Sequence, residues 1–270
     1  MKVYLYPYGG LANRMRAIDS AVNYCAPKNK LVVVWNKERG MNCKWSDVFL
    51  PVPFIKDKAP NKLIRYVFKQ LGDVSIVKKK FFSILKRMHI LCVLDLFDGS
   101  KSDEYNRDLS RRYMIMLIKS CLDFCPKEKF HNELFVIKDQ SRLQLELKKV
   151  GENTIGVHVR RTDHKIAIEN SPLELFEQKM SMEQERCPKT TFYLCSDDKT
   201  VKEILQAKFG EDIVAVPDGV IDRESVEGII QAACEMQALA HCKKVLGSYG
   251  SSFGEVASVM GKNELIYVYK

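Results

Sequence analysis

The 270-residue chain has little tryptophan (2 residues), glycine (14) or proline (9). That scarcity, beside 46% hydrophobic residues, excludes collagen-like, low-complexity and disordered chains. The longest apolar runs, Ile90–Leu94 and Tyr113–Ile118, are far short of the ~20 residues a membrane-spanning helix needs. No apolar leader precedes the strand-like Met1–Pro7, so no signal peptide is expected. There is no Gly-Lys-Ser/Thr phosphate loop and no Asp-x-Asp. No Cys/His pairs stand at zinc spacing, and Cys121-x-x-x-Cys125 is the one tight cysteine pair. Nine cysteines, an odd number, read as reduced thiols in a cytosolic protein, most of them buried as small apolar side chains.

What is present begins with charge. The net charge is +9, from 43 basic and 34 acidic residues, and it is concentrated. Lys56–Ile90 carries ten basic residues against two acids, Asp57 and Asp73, and the rest of the chain is close to neutral. A uniformly basic nucleic-acid binder would not look like this. The length, set against ~150 residues per domain, suggests two domains.

Strands and helices alternate. Lys2–Tyr8 reads as a strand, Leu11–Cys25 as a helix, and Leu31–Trp35 as a strand buried on both faces. The middle, about 43–129, is less regular. There, Leu63, Ile64, Val67, Phe68 and Leu71 form one helical stripe beside a cationic face of Lys62, Arg65 and Lys69. A second alternating unit opens at Thr154–Val159 and runs to the last strand, Leu265–Tyr269. This order predicts an α/β chain with parallel sheets in two Rossmann-like halves. The polar stretch Gln140–Lys149 followed by Gly151-Glu152-Asn153 places the boundary at 150/151, with domains 1–150 and 151–270.

In such sheets ligands bind beyond the carboxyl ends of strands, and three unusual segments stand there. Gly9-Gly10 lets backbone approach a ligand ahead of a helix N-terminus, with Asn13, Arg14 and Arg16 close by. In His158-Val159-Arg160-Arg161-Thr162-Asp163, two arginines at the end of a core strand need an anion or carboxylate to meet them. Gly247-Ser248-Tyr249-Gly250-Ser251-Ser252 offers hydroxyls at a helix start. Together they point to a phosphorylated ligand between the two halves. Asp197-Asp198 is the closest approach to a metal-binding acid pair, and it equally suits a helix cap.

These residues carry a resemblance. His158-x-Arg160-Arg161-x-Asp163 resembles the His-x-Arg-Arg-x-Asp signature of the GDP-fucose-dependent fucosyltransferases. Gly9-Gly10-Leu11-Ala12-Asn13-Arg14-Met15 is similar to the opening motif of the α1,2 enzymes, with Ala12 and Arg14 as departures. Phe192–Asp198 and Glu235–Ala257 are similar to two further motifs, and about 50–135 matches none. The resemblance implies a GT-B-like architecture, two Rossmann-like domains facing a cleft, with an acceptor-side domain first and a nucleotide-sugar domain second. It implies inverting transfer of fucose from GDP-fucose to a glycan hydroxyl, with no metal and no cofactor beyond the donor. Arg160 would bind the β-phosphate, His158 and Arg161 would lie by the nucleotide, and Ser251 and Ser252 would hold phosphate. Glu235 would read guanine, with Gly10, Asn13 and Arg14 also at the donor. Glu169 is the first candidate for the catalytic base and Asp163 the second, its other role being to orient Arg161 or the loop. It further implies a bacterial, cytoplasmic enzyme acting on a surface polysaccharide or lipid-linked oligosaccharide.

Two alternatives stay open. One is a transferase using another nucleotide sugar, such as GDP-mannose. The other is a non-catalytic binder of anionic lipid or nucleic acid through segment 56–90, although the favoured reading has no nucleic-acid partner. For that segment a solvated surface competes with docking to an anionic membrane or a lipid-linked acceptor.

Overall fold

A computed structural model describes residues 1–26, 29–60, 62–70, 76–96, 102–125 and 129–270, except the side chains of 63, 69, 70, 76–81 and 102–104. The chain forms two compact units, Met1–Phe135 and Val136–Lys270. Each is built on a five-stranded sheet whose neighbouring strands all run parallel.

In unit 1 the strands are β1 (Lys2–Pro7), β2 (Lys30–Val34), β3 (Ile55–Lys56), β4 (Leu91–Leu96) and β5 (Ile115–Ser120), in the order β3-β2-β1-β5-β4. The helices are α1 (Leu11–Cys25), α2 (Trp45–Val48), α3 (Lys62–Gln70), α4 (Ile76–Arg87) and α5 (Ser102–Ser110). The two apolar runs too short to span a membrane are β4 and β5. On α3, Ile64, Val67 and Phe68 pack against Tyr4, Val34 and Leu117, while Lys62 and Arg65 are exposed. Amphipathic spacing thus puts apolar residues in the core and cations in water. Leu71 and Asp73, with the side chains of Leu63, Lys69, Lys78, Lys79 and Lys80, lie outside the described residues.

Unit 2 opens with α6 (Gln140–Leu147). The division thus falls after Phe135, whereas polar composition placed it after 150. The reason is that α6 is fastened to the second half. Glu146 accepts hydrogen bonds from the Tyr193 hydroxyl at 2.8 Å and Gln231 Nε2 at 2.9 Å, and Arg142 Nη2 donates to Glu227 at 2.6 Å. The strands are β6 (Thr154–Val159), β7 (Thr191–Ser196), β8 (Val214–Ala215), β9 (Lys244–Ser248) and β10 (Glu264–Val268). Between them lie α7 (Lys165–Asn170), α8 (Leu173–Arg186), α9 (Lys199–Phe209), α10 (Val226–Ala240) and α11 (Ser252–Gly261).

The order β10-β9-β6-β7-β8 is that of the doubly wound nucleotide-binding fold, with its topological switch between β6 and β9. Every residue of β6 is buried, as expected for a central parallel strand. Ser171 does not cap α8. Its hydroxyl accepts the Tyr249 N–H at 2.9 Å, and Pro172 takes the N-cap position. No helix among the described residues is long and apolar enough to cross a membrane.

Candidate active site

β6 ends at Val159, and the chain emerges at the switch point with Arg160. The Arg160 N–H donates to Ser248 Oγ at 2.9 Å, which ties the end of β6 to the end of β9. The Arg160 side chain is only 12% exposed and is paired with Asp197 and Asp163. A guanidinium in so enclosed a place needs carboxylates or an anionic ligand. Asp197 also accepts the Arg161 N–H at 2.7 Å and the Thr162 hydroxyl at 2.6 Å. Its neighbour Asp198 caps α9, accepting the Thr200 N–H at 2.9 Å. The acid pair therefore divides its work between holding the arginine loop and capping a helix.

Of the two structural roles expected for Asp163, the structure shows the loop and not Arg161. Asp163 bridges Arg160 and Arg223, the latter at 3.0 Å. Arg223 belongs to the loop ahead of α10. Gly228 admits that loop, since a Cβ there would come within 1.9 Å of the Asp222 carbonyl oxygen. Arg160, Asp197, Arg223, Glu235 and Phe253 are among the residues lining one cleft of about 100 Å³. No motif or periodicity marks Arg223, so sequence reasoning passed over it.

His158 is buried on the same strand and stacks on Phe253, 4.9 Å between centroids. Burial and the Arg160 charge push its pKa down to about 3, so the ring is neutral. Its Nδ1 is buried without a hydrogen-bond partner. Ser251 is the buried N-cap of α11 and makes no side-chain cap bond, while Ser252 opens the helix half-buried. The first turn of α11 lies against His158, since a Cβ on Gly254 would sit 3.8 Å from Nδ1.

Glu235 on α10 reaches the cleft from the other side. It is buried, with Gln231 Nε2 donating to it at 3.3 Å. Burial, opposed by the Lys202 charge, raises its pKa from 4.5 to about 7. A raised acid keeps its proton in the folded state after the unfolded chain has released it. Its contribution to stability is therefore full below about pH 4.5 and is lost as pH rises through about 7. Glu235→Gln should remove that loss, on the order of 3 kcal/mol between pH 5 and pH 8. Urea unfolding of both proteins at the two pH values checks it. Stability profiles that stay parallel would mean that Glu235 does not titrate in this range.

Arg14, expected at the donor, is wholly buried, and each of its three guanidinium nitrogens donates to a protein acceptor. Its Nε donates to the Gly9 carbonyl at 2.9 Å, Nη1 to the Asn36 carbonyl at 2.6 Å and Nη2 to Glu38 at 3.1 Å. The guanidinium also lies over the Trp35 ring at 4.9 Å. It pins the glycine turn and presents nothing to a ligand. Gly10 is the N-cap of α1, and Gly9 takes a positive φ of 79° that favours glycine. Asn13 is half-buried with Oδ1 unpartnered. Glu169 is exposed on α7 and is not among the residues lining the cleft.

No family model and no curated protein sequence matches this chain. Solved structures do. A mutant of Arabidopsis thaliana FUT1 in complex with GDP matches with a TM-score of 0.68 at 16% identity, over 100% of this chain and 70% of that one. NodZ α-1,6-fucosyltransferase soaked with GDP-fucose matches with a TM-score of 0.64 at 16% identity, over 96% of this chain and 92% of that one. Fucosyltransferase NodZ from Bradyrhizobium matches with a TM-score of 0.63 at 15% identity, over 96% of this chain and 93% of that one. The fold is that of the fucosyltransferases. Within this fucosyltransferase fold, the His158–Asp163 segment stands at the end of β6 and Ser251-Ser252 opens α11 just beyond β9.

Proposed function

We propose that the chain transfers fucose from GDP-fucose to a glycan hydroxyl, with inversion and without a metal ion. The observation that carries this reading is the nearly enclosed Arg160 guanidinium at the β6/β9 switch point, sharing one cleft with Glu235. The first turn of α11 supports it from the β9 side. Bound GDP in the FUT1 structure and GDP-fucose in the NodZ soak support the choice of donor.

As the glycosidic bond breaks, negative charge grows on the leaving β-phosphate. A preorganised cation stabilises that charge more in the transition state than in the ground state. Arg160 supplies it, with Arg223 as a second cation bridged to it through Asp163. The Ser252 N–H and the hydroxyls of Ser251 and Ser252 take the remaining phosphate oxygens, with the helix dipole behind them; the Ser251 N–H is already donated to the Ser248 carbonyl at 3.2 Å. Arg161 steadies the loop, donating from Nη1 to the Arg160 carbonyl at 3.0 Å. Neutral His158 offers its unpartnered Nδ1. Glu235 accepts from N1–H and the exocyclic amine of guanine.

The cleft, of about 100 Å³, is lined in part by Val220, Ile221, Asp222 and Arg223 of the loop ahead of α10. The Asp163–Arg223 pair beside it is exposed, and such pairs hold only about 0–1 kcal/mol. Asp163 is occupied by two arginines. The acceptor proton is assigned to Glu169, the exposed carboxylate on α7. Unit 1 serves the acceptor, while Gly10 and Asn13, beyond the carboxyl end of its β1, are assigned to the donor.

Thermal shift with GDP, UDP and ADP tests the reading. A nucleotide at 100 times its Kd adds about 2.7 kcal/mol of stability, so GDP should raise Tm by several degrees while UDP and ADP do not. An equal rise with UDP or ADP would overturn the guanine assignment. Turnover of GDP-mannose but not GDP-fucose would overturn the sugar.

A further inference from the structure

The active-site cleft lies at carboxyl strand ends. The amino-terminal edge of the unit 1 sheet is a different surface. There Lys30 of β2, Lys2 of β1, Ile115 of β5 and Leu91 of β4 stand in one row, set by the strand register. His89 joins this edge to the end of α4, since the Met114 N–H donates to its carbonyl at 3.0 Å. Its ring stacks on Tyr113 with centroids 5.4 Å apart.

Two kinds of side chain project here. Lys2, Lys30, Arg87, Arg111 and Arg112 are all exposed, and none of them forms an ion pair with a carboxylate among the described residues. Asp108, the nearby acid, is buried and already paired with Lys86 at 2.5 Å. Met114 lines the same groove as four of these cations and is 68% exposed, while Ile84 in the last turn of α4 and Met88 just after it are 55% and 62% exposed beside Arg87. A groove along this edge, whose lining includes Lys2, Lys30, Arg111 and Arg112, contains no carboxylate.

We infer that this edge is a docking surface for an anionic lipid bilayer. Charge complementarity selects an anionic partner. The projecting apolar side chains select a bilayer over nucleic acid, because methionine and isoleucine insert among acyl chains. Single-stranded nucleic acids are instead gripped by runs of exposed aromatic platforms, and of the rings lining this groove Tyr113 is buried, Tyr24 half-buried and His89 alone exposed. The local concentration of charge in segment 56–90 contributes Arg87 and the edge around it, while Lys2, Lys30, Arg111 and Arg112 come from outside that segment. The inference does not depend on the donor assignment, which concerns unit 2.

Flotation of the full chain with phosphatidylcholine vesicles, with and without 30% phosphatidylserine, tests it. The protein should float with the anionic vesicles and not with the neutral ones. Binding should weaken as salt is raised. At about 1 kcal/mol per basic residue near the surface, Arg111→Gln/Arg112→Gln should lower partitioning roughly 30-fold. Lys2→Gln/Lys30→Gln should act similarly, and Met88→Gln/Met114→Gln should remove the binding that persists at high salt. Tm and GDP affinity should stay at wild-type values in all three variants, which separates failure of this surface from failure of the donor reading. Absence of flotation with anionic vesicles overturns the inference. So does equal flotation with both compositions, or salt-sensitive binding confined to a fluorescent oligonucleotide.

Discussion

Arg160→Ala should reduce kcat/KM with GDP-fucose by roughly 10³-fold while leaving the protein folded. Removing one preorganised donor from a site of developing negative charge costs 10²–10³ in rate, and a nearly enclosed guanidinium stands at the upper end of that range. The fold should survive because Arg160's partners keep others. Asp197 retains the Arg161 N–H and the Thr162 hydroxyl, and Asp163 retains Arg223. Arg160→Lys should recover little, since an ammonium cannot reproduce the planar fork that meets two oxygens at once. Glu169→Gln is the matched control for the other half of the reaction. It should lower kcat and leave GDP affinity unchanged, since a base acts only on the acceptor proton. Wild-type turnover in Arg160→Ala would remove the phosphate assignment, and wild-type kcat in Glu169→Gln would remove the base.

Much of this architecture was legible in the sequence because parallel strands and their helices carry strong periodic signals. Thr154–Val159 reads as a strand and is one, whereas Leu31–Trp35, read as buried on both faces, leaves Leu31 and Val32 half-buried. The middle of unit 1 was not legible, because β4 and β5 are short apolar runs that periodicity alone cannot assign. Tertiary pairing decides them: Cys92 and Leu94 lie against Met116 and Ile118 of a neighbouring strand. In the candidate site, the residues next to a strand end were visible. His158 and Arg160 line one cleft with Glu235 from a helix far along the chain. Arg223 was invisible because its role depends on where a loop folds back, which Gly228 permits and no local pattern announces. The acid pair Asp197-Asp198 was ambiguous for a physical reason. A carboxylate caps a helix or pairs with arginine equally well, and here each member does one of the two. Arg14 was misread because an arginine after a glycine turn looks available to a phosphate, and sequence does not show that a tryptophan and two backbone carbonyls already surround it.

Arg14→Met separates those two meanings of a buried arginine. A ligand-facing Arg14 would give a variant of normal stability whose GDP affinity had fallen. The geometry requires the opposite. Methionine fills most of the volume but donates no hydrogen bond, so the carbonyls of Gly9 and Asn36 lose their donor and Glu38 loses its cation. Glu38 keeps the Tyr6 hydroxyl, which cannot neutralise its charge. Glu38 is 32% exposed, so water screens the charge that is left; three lost hydrogen bonds at about 1 kcal/mol each amount to roughly 3 kcal/mol, and for a protein of this size that corresponds to a fall in Tm of roughly 6–12 °C. Burial already lowers the pKa of Arg14, with Glu38 opposing the shift, so the site holds its cation only because acceptors surround it. Arg14→Lys should recover part of the loss, since one ammonium satisfies Glu38 or a carbonyl but not all three acceptors. GDP affinity, measured at a temperature where each variant is folded, should stay at the wild-type value throughout. A stable Arg14→Met variant with weakened GDP binding would return Arg14 to the donor site.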